Sequence, residues 1–285
     1  MILITGPTGS VGHPLIDLLR AEDVDVRAVT RNATAAGLPA EVEVVEGDPA
    51  QPETMRDALR GVTAIFLNPR TVGTAAEELL ALARDRGVER VVAMSALNVD
   101  FADHRQPSRP RGEYNREVEA ASVASGLDWV ALRSGSYALN AINMWAGQIR
   151  AGGDVVRGPY ASSHWAPLHE RDIAAVGAWA LRTDELLGCR PVLTGPESLD
   201  QELMVAAIGA ALGRTLRFLE VPPEAARQGL VRAGHAPALA DGYLGMQAES
   251  YGQLGLVTGE IERILGRPAL TFAQWAAEHA DAFRS

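Results

Sequence analysis

The chain opens on an apolar, β-rich run, Ile2-Leu3-Ile4-Thr5, that passes directly into Gly6-Pro7-Thr8-Gly9-Ser10-Val11-Gly12. A helical pattern carrying Leu15, Ile16, Leu18 and Leu19 follows. A strand, a glycine-rich turn and a helix in that order leave few folds open. Gly6 lets the chain leave the strand in a tight turn, Gly9 lets the backbone approach an anion, and Gly12 lets the helix pack closely on the sheet. The free N–H groups of the first helical turn would face that anion. Pro14 fits in this turn, where a missing N–H costs little.

Further apolar runs alternate with helical patterns. Val24 to Thr30, Val42 to Glu46, Ala64 to Asn68, Arg90 to Met94 and Asp128 to Arg133 read as strands, with helices expected at 10–20, 52–60, 73–86 and 112–125. Strands this short and apolar suit a parallel sheet covered on both faces, and the βαβ rhythm predicts right-handed crossovers. After about residue 135 helices dominate, at 137–150, 171–182, 200–211, 223–233, 258–265 and 271–283, with short strands near 154–157, 190–194 and 215–220. The expected fold class is α/β: a doubly wound parallel Rossmann sheet with a smaller, mainly helical C-terminal lobe. Residues 1–135 are expected to form the dinucleotide-binding domain, with segments around 155–195 available to complete it, and residues 136–285 the lobe.

A glycine triplet in this context predicts a bound dinucleotide, held by Gly6, Thr8, Gly9, Ser10, Val11 and Gly12. Where an acidic residue at the end of the second strand would hold an NAD ribose, Thr30 and Arg31 stand instead. The Arg31 fork suits a 2′-phosphate, so NADP(H) is expected in preference to NAD(H). Ligands of open α/β sheets lie at the carboxyl ends of strands, which nominates Asp48 beside Gly47, Asn68 beside Pro69, and Ser95.

Composition removes other classes. All 26 basic residues are arginine, so a catalytic lysine is excluded. The net charge of −10 argues against a nucleic-acid partner, which needs clustered cations. No apolar run approaches the roughly 20 residues that span a bilayer, and the N-terminus lacks the layout of a secretory signal, so a cytoplasmic protein with no membrane partner is expected. Cys189 is the single cysteine, which leaves no disulfide framework. His164 and His169 are not spaced as a helical metal pair, and Pro167 lies between them, so no metal is expected. No Gly-x-Ser-x-Gly elbow offers a hydrolase nucleophile.

The glycine pattern, the strand end Val26-Arg27-Ala28-Val29-Thr30-Arg31-Asn32, and Ser125-Gly126-Leu127-Asp128-Trp129-Val130-Ala131-Leu132-Arg133 followed by Tyr137 and Asn140 resemble the atypical short-chain dehydrogenase/reductase superfamily. Within it the likeness is to the NmrA-like and quinone-reductase-like branch. The resemblance implies a Rossmann core, NADP(H) binding and a small C-terminal substrate lobe. Its usual catalytic pair is Tyr-x-x-x-Lys, in which Lys lowers the Tyr pKa. Tyr114 stands in the appropriate helix, but Val118 occupies the lysine position. Tyr114 is therefore either a proton donor poised by Arg116 or an amphipathic tyrosine where loop meets helix. Tyr137 is the second catalytic candidate, with a role in packing as its alternative. The leading expectation is an NADP(H)-dependent oxidoreductase passing hydride to a small aromatic or quinone-like molecule, as monomer or homodimer. A non-catalytic NADP(H)-sensing NmrA-like regulator with a protein partner stays open, as does an isomerase or coupling enzyme.

Overall fold

The computed structural model describes residues 1–232, 234 and 236–284. In chain order the elements are β1 (Ile2–Thr5), α1 (Gly12–Arg20), β2 (Val26–Thr30), β3 (Glu43–Glu46), β4 (Ala64–Leu67), α2 (Pro69–Val72), α3 (Ala76–Asp85), β5 (Arg90–Ala96), α4 (Asn115–Ala124) and β6 (Asp128–Ser134). There follow α5 (Asn140–Arg150), β7 (Val155–Gly158), α6 (Glu170–Arg182), β8 (Val192–Leu193), α7 (Gln201–Leu212), β9 (Arg217–Glu220), α8 (Pro223–Arg232), α9 (Pro237–Glu249), α10 (Glu260–Leu265) and α11 (Phe272–Glu278).

Contacts divide the chain into two compact units. The first comprises Met1–Asp100, Ser108–Ser134 and Glu170–Leu193. Its sheet has seven parallel strands in the order β3-β2-β1-β4-β5-β6-β8. The strand order reverses between β1, which pairs Ile2 with Val26 on one side, and β4, which pairs Ala64 with Ile2 on the other. That reversal creates the crevice at the carboxyl ends where such sheets bind ligands. The inner strands β1 and β4 are buried along their whole length, as expected for a sheet covered on both faces. α1 and α6 pack together, as do α3 and α4. The α4 side is filled by Leu79, Leu80, Val91, Ala93, Val118 and Ala121.

The second unit comprises Phe101–Pro107, Gly135–His169 and Thr194–Ser285. β7 and β9 form a parallel pair, Val155 opposite Arg217. Trp145, Ile149, Val156, Ile208, Phe272 and Trp275 belong to its core. Helix starts follow local chemistry: Asp200 accepts from the Leu203 N–H at 2.8 Å, and Thr271 and Gln274 form a reciprocal capping box.

The differences from the sequence expectation have local causes. The expected helix at 52–60 is only a 3-10 turn at Pro52–Met55, held by Thr54 Oγ1 donating to the Gln51 carbonyl at 2.8 Å. The expected helix at 271–283 stops at Glu278 and resumes as a 3-10 turn over Ala280–Phe283. α9 had no expected counterpart, because Gly242 and Gly245 interrupt its apolar spacing. Among the described residues no helix is long and apolar enough to cross a membrane.

Candidate functional site

The loop after β1 is shaped by two close approaches, one of the Asn68 side chain to Gly6 and one of backbone to Gly12. Gly6 adopts φ +67°, and a Cβ there would lie 2.8 Å from the Asn68 amide nitrogen. Gly12 opens α1 with its Cα against the start of the loop, where a Cβ would sit 2.2 Å from the Gly6 carbonyl oxygen. Only glycine fits that approach. The Gly9 N–H donates to this same carbonyl at 3.1 Å, and the His13 N–H donates to the Gly9 carbonyl at 3.1 Å. Val11 precedes α1 without a side-chain cap. No acceptor among the described residues takes the N–H groups of Ser10, Val11 and Gly12. A glycine cradle with unpartnered N–H groups at a helix N-terminus matches the donor set that a pyrophosphate requires.

Neighbouring strand ends support this loop. The Thr5 hydroxyl donates to the Phe66 carbonyl at 3.0 Å and accepts from the Asn68 N–H at 2.8 Å, tying the ends of β1 and β4 together. Asn68 caps α2, its Oδ1 accepting from the Arg70 N–H at 3.0 Å. Arg31 is exposed just beyond β2, with no side-chain partner among the described residues. The Asp48 carboxylate accepts from the Ala50 N–H and the Gln51 amide, each at 3.1 Å, so it serves its own turn. Thr8 and Ser10 are exposed and Val11 is buried. A cleft of about 450 Å³ lined by Arg20, Asp23, Asp25, Glu41 and Glu43 opens at the amino ends of β1 to β3, the opposite end from the glycine loop.

Ser95 lies inside β5 rather than beyond it, and its hydroxyl donates to Glu119 Oε2 at 2.6 Å. Glu119, 6% exposed, is also held by Arg133 Nη2 at 2.6 Å and Arg190 Nε at 2.8 Å. Arg133 reaches Asp100 at 2.8 Å, and the Arg190 guanidinium covers the Trp129 ring at 4.5 Å. Burial pushes the Glu119 carboxyl up, but hydrogen bonds from Arg133, Ser95 and Arg190 prevail and hold it below the usual glutamate range. This cluster escapes sequence reasoning because its partners are 14 and 71 residues apart.

Tyr114 immediately precedes α4, half-buried, with the Arg109 guanidinium 5.2 Å from its ring centroid. Arg109 also makes a forked pair with Glu117 at 2.5 and 2.9 Å. Arg116, the expected partner of Tyr114, donates its Nε to the Val99 carbonyl at 2.7 Å. Beside Tyr114, burial pushes the Glu113 carboxyl up against the opposing pull of Arg70 and Arg111. Val118 is fully buried in the core under α4. The position that carries lysine in the usual pair therefore faces packing. Val118→Lys is expected to destabilise the fold by at least about 3 kcal/mol, since it buries an unpaired ammonium; a denaturant melt checks this.

Tyr137 belongs to the second unit, bridging to Leu168 at the head of α5. Tyr114 and Tyr137 thus lie in different units. His164 Nδ1 is 2.8 Å from the Ser162 carbonyl. His169 is fully buried, 3.4 Å from Glu278 and edge-on to His279. No cluster of three metal-ligating side chains occurs among the described residues.

Comparison with known proteins agrees with this geometry. Residues 6–163 match the family described as NAD(P)H-binding. The chain is 34% identical to a (4-alkanoyl-5-oxo-2,5-dihydrofuran-3-yl)methyl phosphate reductase of Streptomyces griseus, over 99% of both chains. It is 31% identical to an NAD(P)H azoreductase of Xenophilus azovorans, again over 99% of both. Its fold is similar to that of an Escherichia coli NADPH-dependent quinone oxidoreductase solved with NADPH, with a TM-score of 0.80, 23% identity and coverage of 98% and 99% of the two chains. With residues 6–163 matched and two relatives above 30% identity over nearly their whole length, the chain belongs to the NAD(P)H-binding family.

Proposed function

We propose that the protein is an NADPH-dependent oxidoreductase that reduces a small aromatic or quinone-like acceptor. The observation that carries this reading is the Gly6–Gly12 cradle, whose Ser10, Val11 and Gly12 N–H groups have no acceptor among the described residues. The relatives named as reductases support redox chemistry, and the cofactor, when bound, supplies the hydride.

The chain's own residues do the rest. The loop amides hold the pyrophosphate, and Arg31, exposed and without a side-chain partner among the described residues, forks onto a 2′-phosphate. With Val118 in the core, the position of the usual lysine holds no cation beside Tyr114. That loss weighs against ketone reduction and less against quinones, which are electrophilic enough for positioning and hydride to supply most of the rate. The quinone gains a hydride and one proton to give the hydroquinone, with water or Tyr114 as the proton source.

Steady-state NADPH oxidation with a panel of quinones and azo dyes tests this reading. Turnover well above background with at least one quinone is expected, and none with any acceptor overturns it. Arg31→Ala is expected to raise KM for NADPH about tenfold, the scale of one charge-assisted contact, and to leave KM for NADH unchanged. Equal effects on both cofactors would remove Arg31 from phosphate recognition. The buried Val118 also favours a second reading, a redox sensor that binds NADPH without consuming it.

A further inference from the structure

The small parallel sheet of the second unit has one protected edge and one open edge. β7 and β9 pair with Val155 opposite Arg217 and Gly158 opposite Glu220. The Arg217 N–H donates to the Asp154 carbonyl and the Val221 N–H to the Gly158 carbonyl, each at 2.9 Å. Arg217, Leu219 and Val221 therefore turn their backbone groups towards β7, and strand geometry turns those of Phe218 and Glu220 the other way. On β7 the outward residue is Arg157, and the Gln148 side chain of α5 covers it. Gln148 Nε2 donates to the Arg157 carbonyl at 2.9 Å, and Oε1 accepts from the Arg157 N–H at 2.8 Å. This amide stands in for a further strand and stops the sheet there. On β9 the outward N–H and carbonyl groups of Phe218 and Glu220 have no partner among the described residues.

The β9 edge is suited to its own copy. Phe218 packs against the core of the unit, and Leu219, on the other face, is 48% exposed. An antiparallel alignment centred on Leu219 sets Phe218 opposite the partner's Glu220, and Glu220 opposite the partner's Phe218. Each is a hydrogen-bonded pair that exchanges both N–H···O bonds, so every outward group of the edge is used. Leu219 meets the partner's Leu219 across the two-fold axis as a non-hydrogen-bonded pair, the kind whose side chains come closest. Arg217 and Glu220 carry opposite charges at the two ends of β9, and this alignment brings the positive end of each strand beside the negative end of the other. Pro222 and Pro223 follow at once, without the N–H groups that would extend the ladder. With Gln148 closing the far edge in each copy, growth ends at a dimer.

We infer that the open edge of β9 is a homodimer interface, at which β9 pairs antiparallel with β9 of a second copy and the sheet runs β7-β9-β9-β7. The interface is isologous, each copy offering the same residues. Backbone bonds supply the affinity, as in other strand additions, and a patch this short gives a dimer that dissociates on dilution. The pairing is independent of the proposed reduction, and its test reads mass rather than turnover.

Sedimentation equilibrium of the full chain across the micromolar range is expected to show a mass rising from 30.3 kDa towards twice that value. Glu220→Pro removes an outward N–H and spares the ladder to β7, because the Glu220 N–H does not face β7. This variant is expected to be monomeric at every concentration, with unchanged circular dichroism. Leu219→Lys and Leu219→Glu each set like charges across the axis and are expected to be monomeric alone, whereas an equal mixture of the two dimerises. If Glu220→Pro does not fold, the Leu219 variants decide, since that side chain lies on the exposed face. Wild-type protein that is monomeric throughout overturns the inference, whether or not the edge takes up another chain. A wild-type dimer that persists in Glu220→Pro, or in either Leu219 variant alone, uses another surface and overturns it as well. An equal mixture that stays monomeric rules out the alignment about Leu219 and the inference with it.

Discussion

Gly12→Ala is expected to lower NADPH affinity by at least about a hundredfold, roughly 2.7 kcal/mol, while circular dichroism stays close to that of the wild type. The added Cβ would stand 2.2 Å from the Gly6 carbonyl oxygen and 3.0 Å from Pro7 Cα. Both neighbours are backbone, so no side chain can swing away. Either α1 retreats from the loop or the loop opens, and both movements scatter the N–H groups of Ser10, Val11 and Gly12. Gly9→Ala makes a graded control. Its Cβ would be 3.3 Å from the same oxygen, a contact that a small shift relieves, so a loss of about tenfold or less is expected. Cofactor titration by fluorescence compares the two. Equal affinity in wild type and Gly12→Ala would show that the cradle does not hold the cofactor.

The largest expected effect on stability is at Glu119. Glu119→Gln removes the anion that Arg133 and Arg190 share, leaving Arg133, half-buried, with only the exposed Asp100. Breaking a buried pair from one side costs about 3 kcal/mol, which for a chain of this size is a fall of roughly 8 °C in melting temperature. Arg190 is more exposed than Arg133 and contributes less through solvent screening. The pH dependence has a definite sign. Because the folded-state carboxyl is held below its unfolded value, its contribution is complete above the ordinary glutamate range. It is lost as pH falls through the folded-state value. The stability gap between wild type and Glu119→Gln should therefore be widest near neutrality and narrow in acid, as urea melts at several pH values would show. A constant gap would mean that Glu119 acts through packing alone.

The parallel core was legible because its signals are local. The apolar runs of β1 and β4 and the Gly6–Gly12 spacing each depend on a few adjacent residues. The glycine loop was legible for the same reason, since the close approach of Gly12 to Gly6 is written in seven adjacent positions. α9 was not legible, because Gly242 and Gly245 blur its periodicity. Its identity as a helix comes from packing, with Leu244 and Gln247 turned inward. The Glu119 cluster was hidden for another reason. Its members come from β5, α4, β6 and the segment before β8, and an ion-pair network leaves no spacing rule in the chain. Ser95, expected among the cofactor contacts, is engaged in that cluster because β5 runs two residues beyond its expected end at Met94. Val118 could be recognised in the sequence as a missing lysine, but only its place in the core shows that the position serves packing.

The central claim is that a hydride leaves the bound dinucleotide for an acceptor. NADPH deuterated at one face of the nicotinamide C4 tests it most directly, with a quinone as acceptor and the fate of the label read by mass spectrometry. The account predicts stoichiometric formation of hydroquinone and NADP⁺, with deuterium lost from only one of the two stereospecifically labelled cofactors. Cofactor that binds tightly and is recovered with its label intact in the presence of every quinone would contradict it.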